Sequence, residues 1–179
     1  MPRIPYVDPA DAPEEVAELL GKLPPMNVFR MLAHAGPEFR KFISFSDALL
    51  RKSCVDKWLL ELAILRVGHL SDAPYEINQH EALALAVGGT KEKIRAIGRW
   101  PTDSPFSAEE ELVLAYTDDV VANVRASDAT FAPLQKSLSS QGLVELTMAI
   151  GFYMMVSRLL NTFDVEVEDG GNTTLTLDR

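Results

Sequence analysis

Residues 61–89, ELAILRVGHLSDAPYEINQHEALALAVGG, read as two helices folded back on each other about a turn near Asp72. The first arm begins with Trp58, Leu59 and Leu60 and continues with Leu62, Ala63, Ile64, Leu65 and Val67, which leaves only Glu61 and Arg66 polar. A helix apolar on every side is a buried one. A carboxylate within it loses hydration, and a partner, a shared proton or a function must offset the loss. The second arm is expected to open with Ser71 and Asp72 as N-cap residues and Pro74 in its first turn, where the missing N–H costs little. Gly88 and Gly89 supply a left-handed stop, and the Ala/Leu alternation from Ala82 to Ala86 favours close packing.

The spacing fixes what meets across the hairpin. At ~1.5 Å per residue, Glu61 lies roughly 16 Å back along one arm and His80 roughly 12 Å along the other, so the two are nearly level. Glu76 stands four residues before His80 on the same face, one turn nearer the mouth. The order in space is Glu61, His80, Glu76.

At this point the sequence resembles a known family. Glu61, eleven residues, Ala73, two residues, Glu76, three residues, His80 matches the spacing of the carboxymuconolactone decarboxylase and AhpD-like superfamily. Its redox-active members carry a Cys-x-x-Cys pair where this chain has Ala73 and Glu76. The likeness continues in ILRVGHL before the turn and in GFYMMVSRLLNTFDVEVE near the C-terminus, and it spans roughly residues 27 to 168. It implies an all-α fold, an AhpD-like helical bundle built around an antiparallel helical hairpin. It also implies a homo-oligomer (dimer, trimer or hexamer) that needs no cofactor.

Two activities dominate the resembling proteins. Peroxide reduction through the paired cysteines needs a thiolate nucleophile, and Ala73 and Glu76 remove both thiols, so it is not expected here. Cofactor-free decarboxylation of a carboxylated enol-lactone from aromatic catabolism needs only an acid to protonate a dienolate. His80 would be that acid, with Glu61 orienting the ring and Glu76 a second relay. Arg158 and Tyr75 are candidate substrate-binding residues; Arg158 shares a face with Asn161 on the last helix, which the resemblance implies packs near the hairpin. Pairing of Arg158 with Glu145 or Asp164 remains open. Two other readings of the acid–histidine set also remain open: a buried network without catalysis, and a two-carboxylate, one-histidine metal site. Nothing in the spacing demands a metal, and none is expected. The expected function is a cofactor-free acid–base enzyme, a carboxymuconolactone decarboxylase-like lyase acting on a small anionic conjugated carbonyl or lactone. The alternatives are an AhpD-like alkylhydroperoxidase relative without thiol activity, or a catalytically silent oligomeric binding protein.

The resemblance implies a small-molecule substrate, and composition argues against two other classes of partner. A net charge of −9 argues against nucleic acid and anionic membrane surfaces, which select basic patches. No stretch approaches ~20 uninterrupted apolar residues. The N-terminus, MPRIPYVDPADAPEE, has no apolar signal region, so a cytoplasmic protein is expected. Cys54 is the single cysteine, stands before the hairpin and is read as a structural thiol.

The 179 residues are read as one domain, 1–179, with an N-terminal arm over about 1–26, a core over 27–168 and a tail over 169–179. Helices are expected over Pro13–Leu23, Val28–Ala35 and Glu38–Leu50; Gly36 and Pro37 close the second, and His34 beside that turn is read as a packed or exposed loop residue rather than a catalytic one. Thr90 caps a short helix that stops at Pro101, and Ser107 with Glu110 forms a capping box for one reaching Val124. A helix after Ser127 and Asp128 accommodates Pro133 only by starting as late as Thr130. The last helix runs from about Leu143 to Phe163, and its Met148, Met154 and Met155 serve the core or a subunit contact. The tail reads as mobile or as a small strand at such a contact.

Overall fold

The hairpin organises the molecule. The computed structural model describes residues 1–102 and 104–168. Its helices are α1 (Glu14–Lys22), α2 (Asn27–Leu32), α3 (Pro37–Lys52), α4 (Lys57–Leu70), α5 (Pro74–Ala86), α6 (Lys91–Ile97), α7 (Ala108–Asn123), α8 (Asp128–Ser137) and α9 (Ser140–Phe163). A single 3-10 turn, Ala33–Ala35, follows α2, and no strand occurs among the described residues. The fold is all-α as expected, and the expected strand in the tail lies outside the described residues.

Helix α4 is the axis, packed against α5, α7 and α9. Asp56 caps it by accepting from the N–H groups of Trp58 and Leu59, and every residue from Leu59 to Gly68 is buried. Burying each Leu or Ile of this run contributes ~1.5–3 kcal/mol. The hairpin arms come closest at Gly68, where an added Cβ would stand 3.1 Å from Ile77 Cγ1 and 3.7 Å from the Cβ of Glu76. At the far end of α5, Gly88 takes φ 105°. Gly89 then tucks under Trp58, whose ring an added Cβ would meet at 2.4 Å.

Helix α9 is long and apolar enough to cross a membrane by length and composition, yet half of that window is buried within the molecule. Leu146, Ala149, Ile150, Tyr153, Val156 and Leu160 face inward. Met148 and Met155 are exposed and Met154 is half-buried, so two of the three methionines are available to a contact.

Four local expectations are corrected. Ser71 and Asp72 do not cap α5; the N-cap is Ala73, without a side-chain bond. Asp72 takes a left-handed φ of 46°, and Asn161 Nδ2 donates to the carbonyls of Ser71 and Asp72, so α9 holds the turn. Helix α3 opens with Pro37 itself and runs to Lys52, rather than from Glu38 to Leu50. The Thr90-capped helix α6 ends at Ile97 rather than at Pro101. Helix α8 begins at Asp128 with Pro133 inside it. Asp119 of α7 fixes that early start, because its carboxylate accepts from Ser127 N–H and Thr130 Oγ1, both at 2.6 Å.

Candidate functional site

Glu61, Glu76 and His80 meet where the spacing puts them. Helix α4 delivers Glu61 from one side and α5 delivers His80 and Glu76 from the other. His80 Nδ1 lies 2.7 Å from Glu61 Oε2, and Nε2 lies 3.4 Å from Glu76 Oε2. All three side chains are buried. The short Nδ1 contact is a hydrogen bond, whereas 3.4 Å is too long for a strong one.

Burial opposes a charge on the imidazole, but Glu61, by attraction and hydrogen bonding, and then Glu76 outweigh it and raise His80 to about 10. The ring is therefore an imidazolium at neutral pH, with its Nδ1 proton committed to Glu61 and its Nε2 proton loosely held. The acids occupy opposite ring nitrogens, so the three groups do not share a common point. Among the described residues no group of three His, Cys, Asp or Glu is arranged to hold a metal ion.

Sequence reasoning missed part of the surroundings. Tyr153 of α9 stands edge-on to His80, ring centroids 4.8 Å apart. Burial, then the negative charge of Glu76 and Glu61, keeps its phenol far above its ordinary pKa and so neutral. Ser46 of α3, Phe42, Phe152 and Gln79 also line the cavity that holds Tyr75, Glu76, His80 and Tyr153. For Gln79 a signal existed: it stands four residues after Tyr75, one step behind the Glu76–His80 pair.

The cavity measures about 40 Å³. That is little more than the ~30 Å³ share of one water in the liquid, where ligand pockets usually offer ~300–1,000 Å³. Larger hollows of about 520 and 530 Å³ lie elsewhere, one between α1 and α3 and one between α3 and α9, and neither includes the acid–histidine set.

Tyr75 lines the cavity, but Arg158 does not. Arg158 is exposed on α9 and turns its Nη1 back to the Met154 carbonyl, 2.8 Å away. Glu145 bonds Ser53, the Cys54 N–H and Gln141 instead. Cys54 is exposed before α4. His34 is exposed in the 3-10 turn, its Nε2 2.8 Å from the Pro5 carbonyl.

Residues 37–119, from the start of α3 into α7, match the model of the carboxymuconolactone decarboxylase family. No curated protein sequence matches the chain. Among solved structures, the alkylhydroperoxidase AhpD core of an uncharacterized peroxidase-related protein from Ralstonia eutropha superposes with a TM-score of 0.82. That match has 19% identity and covers 94% of this chain and 93% of that one. An uncharacterized peroxidase-related protein from a Silicibacter species gives 0.80 at 16% identity, covering 96% and 93%. A protein of unknown function from Agrobacterium tumefaciens gives 0.70 at 21% identity, covering 76% and 94%. At these identities the structural likeness establishes the fold.

Proposed function

We propose that this chain, AhpD-like in fold and of the carboxymuconolactone decarboxylase family over residues 37–119, is a cofactor-free acid–base enzyme. Its expected reaction is decarboxylation of a small, anionic, conjugated carbonyl or lactone. The observation that supports this reading most is the asymmetric grip on His80. Nδ1 is fixed by Glu61 at 2.7 Å, while Nε2 stands 3.4 Å from Glu76 beside the cavity.

In the proposed step, the bond from the substrate carbon to its carboxylate breaks and its electron pair flows into the conjugated carbonyl, giving a dienolate and carbon dioxide. The imidazolium Nε2–H then protonates the dienolate carbon, a stronger base than the imidazole. Glu76 relays a proton from solvent to restore the ring. Glu61 keeps the imidazole in one orientation throughout. Tyr153 contributes a neutral wall that bounds the ring face.

One observation favours a second reading, a catalytically silent oligomeric binding protein: the cavity of about 40 Å³ is too small for a lactone as it stands. A screen of carboxylated lactones and related enols, with wild type and His80→Ala in parallel, separates the two. Removing the general acid should cost ~10²–10⁴-fold in turnover. Rates are normalised to folded protein, because His80→Ala leaves two buried carboxylates without their cation. Turnover of His80→Ala within about twofold of wild type overturns the mechanism.

A homo-oligomer is part of the same proposal. Val144, Met148, Gly151 and Met155 are exposed on α9 at the 4-3-4 spacing that forms a seam between two helices, here from a second copy. Light scattering showing a stable monomer at micromolar concentration would contradict it.

A further inference from the structure

Among the described residues, no Lys or Arg lines the cavity to receive the carboxylate of an anionic substrate, and Arg158 turns to the Met154 carbonyl. A carboxylate is nevertheless bound at its rim, and it belongs to the chain itself. Beyond α9 the backbone turns at Asp164, which has a φ of 51°, and runs back across α2 and α5. There Glu168 Oε1 accepts from the Asn27 N–H at 2.6 Å and from the Tyr75 hydroxyl at 2.7 Å, and Oε2 accepts from Gln79 Nε2 at 3.1 Å.

These donors are built rather than incidental. Tyr75 and Gln79 are both buried and both line the cavity with Glu76 and His80. The Val28 N–H donates to the Tyr75 oxygen at 3.3 Å, so the phenol's own proton is left for the carboxylate. Burial and the Glu168 contact both hold that phenol above its ordinary pKa, which preserves it as a donor.

The strap carrying Glu168 is tied down by exposed contacts outside the cavity. Asn27 Nδ2 donates to the Glu166 carbonyl at 2.9 Å, the Glu166 N–H donates to the Tyr6 hydroxyl at 2.9 Å, and the N-terminal amine pairs with Glu166 at 2.7 Å. Such contacts are individually weak.

We propose that Tyr75, Gln79 and the Asn27 N–H form the carboxylate subsite of this centre, filled in cis by Glu168 until a substrate carboxylate takes its place. The proposal rests on the acid–base reading above and deepens it. Exchange of one carboxylate for another leaves the charge beside Glu61, Glu76 and His80 unchanged, so binding adds no repulsion. It also opens space. Displacing the strap extends a cavity sized for one water toward the surface, where the rest of a conjugated acid can reach the Nε2 side of His80.

Glu168→Ala deletes roughly one acetate from the side chain, so acetate and sorbate, a small conjugated acid, are the probes. Their amides serve as controls at matched ionic strength. Acetate should raise the melting temperature of Glu168→Ala and leave wild type unmoved. Sorbate should bind Glu168→Ala at least ~10-fold more tightly by calorimetry, the gain that follows when a tethered competitor fills the subsite about nine-tenths of the time. Adding Gln79→Leu or Tyr75→Phe to Glu168→Ala should abolish both effects. If Glu168→Ala does not fold, Glu168→Gln keeps the bridging shape without the charge and should still tighten sorbate.

Equal affinity of sorbate for wild type and variant, equal gains for the amides, or no binding by either acid overturns the subsite. Sorbate binding of this pattern, with no turnover of any carboxylated lactone or enol in the screen above, supports it while removing the decarboxylase. His80-dependent turnover whose KM ignores both Glu168→Ala and Gln79→Leu removes the subsite and leaves the enzyme.

Discussion

Two buried charged clusters hang from helix α4, one at Glu61 and one at Arg66, and they differ in how completely their hydrogen-bonding groups are engaged. Arg66 binds Asp118 through Nε at 2.6 Å and Nη2 at 2.9 Å, and reaches the carbonyls of Ile97 and Trp100 at 2.8 and 3.3 Å. Four of the five guanidinium donors are engaged, two of them by carbonyls at and just beyond the end of α6. His80 has one tightly bonded nitrogen and one at 3.4 Å beside open space. A buried charge held at nearly all of its donors locks elements together. One with a loosely held proton next to a cavity can transfer it.

The largest effect that tests this contrast is on stability. Arg66→Met keeps the apolar stem but takes a charged partner from Asp118, whose side chain is 32% exposed, and a donor from two carbonyls, and losing such charge-assisted bonds costs up to ~3 kcal/mol. Urea unfolding should show that loss, while the nitrogen-15 resonances of the His80 ring stay at their wild-type positions. A variant of wild-type stability with a shifted His80 ring would break the comparison, because Arg66 would then belong to the site.

The second test uses pH. His80 is raised from 6.5 to about 10 in the folded chain, so its contribution to stability is fully present below its unfolded pKa and is lost as pH rises toward 10. Each pH unit in that window corresponds to at most ~1.4 kcal/mol. The difference in unfolding free energy between wild type and His80→Gln, which cancels the titration of surface lysines and tyrosines, should shrink steadily from pH 6.5 upward. A difference independent of pH across that window would mean that His80 is neutral when folded, and the proton-donor role would fall with it.

These clusters were legible in the sequence to different degrees, for physical reasons. Glu61, Glu76 and His80 could be placed because all three lie on two helices joined by a short turn, where rise per residue alone sets the register. The Ser107–Glu110 capping box was equally local, and it forms with both of its bonds. Tyr153 and Ser46 were not legible, because they arrive from α9 and α3 through packing that no period encodes. The turn at Ser71 and Asp72 is not legible for the same reason: Asn161, ninety residues away in the sequence, holds it by donating to the Ser71 and Asp72 carbonyls, where a cap would instead accept from the first N–H groups of α5. Arg66 was seen only as polar, since its partner Asp118 sits on α7. Glu168 closes the GFYMMVSRLLNTFDVEVE stretch as one more acid beyond the last helix, and only its contacts give it a place at the site.

The smallest expected effect belongs to a residue outside both clusters. Cys54 is exposed ahead of α4, its Sγ 3.9 Å from Ser139 Oγ, and it neither lines the cavity nor touches Arg66 or Asp118. The structural neighbours described as peroxidase-related make a thiol function the natural challenge to an acid–base reading. A thiol peroxidase of the paired-cysteine kind needs a nucleophilic thiolate and a second sulfur to resolve it. In this chain Ala73 and Glu76 stand at those positions. Cys54→Ser should therefore change stability by less than ~0.5 kcal/mol, as expected for a surface substitution. It should also leave turnover on any substrate that depends on His80 untouched. Wild-type protein given a hydroperoxide and a dithiol donor should consume neither faster than buffer. Peroxide turnover that disappears in Cys54→Ser would move the chemistry from the hairpin to the start of α4 and make the His80 cluster a structural one, like that of Arg66.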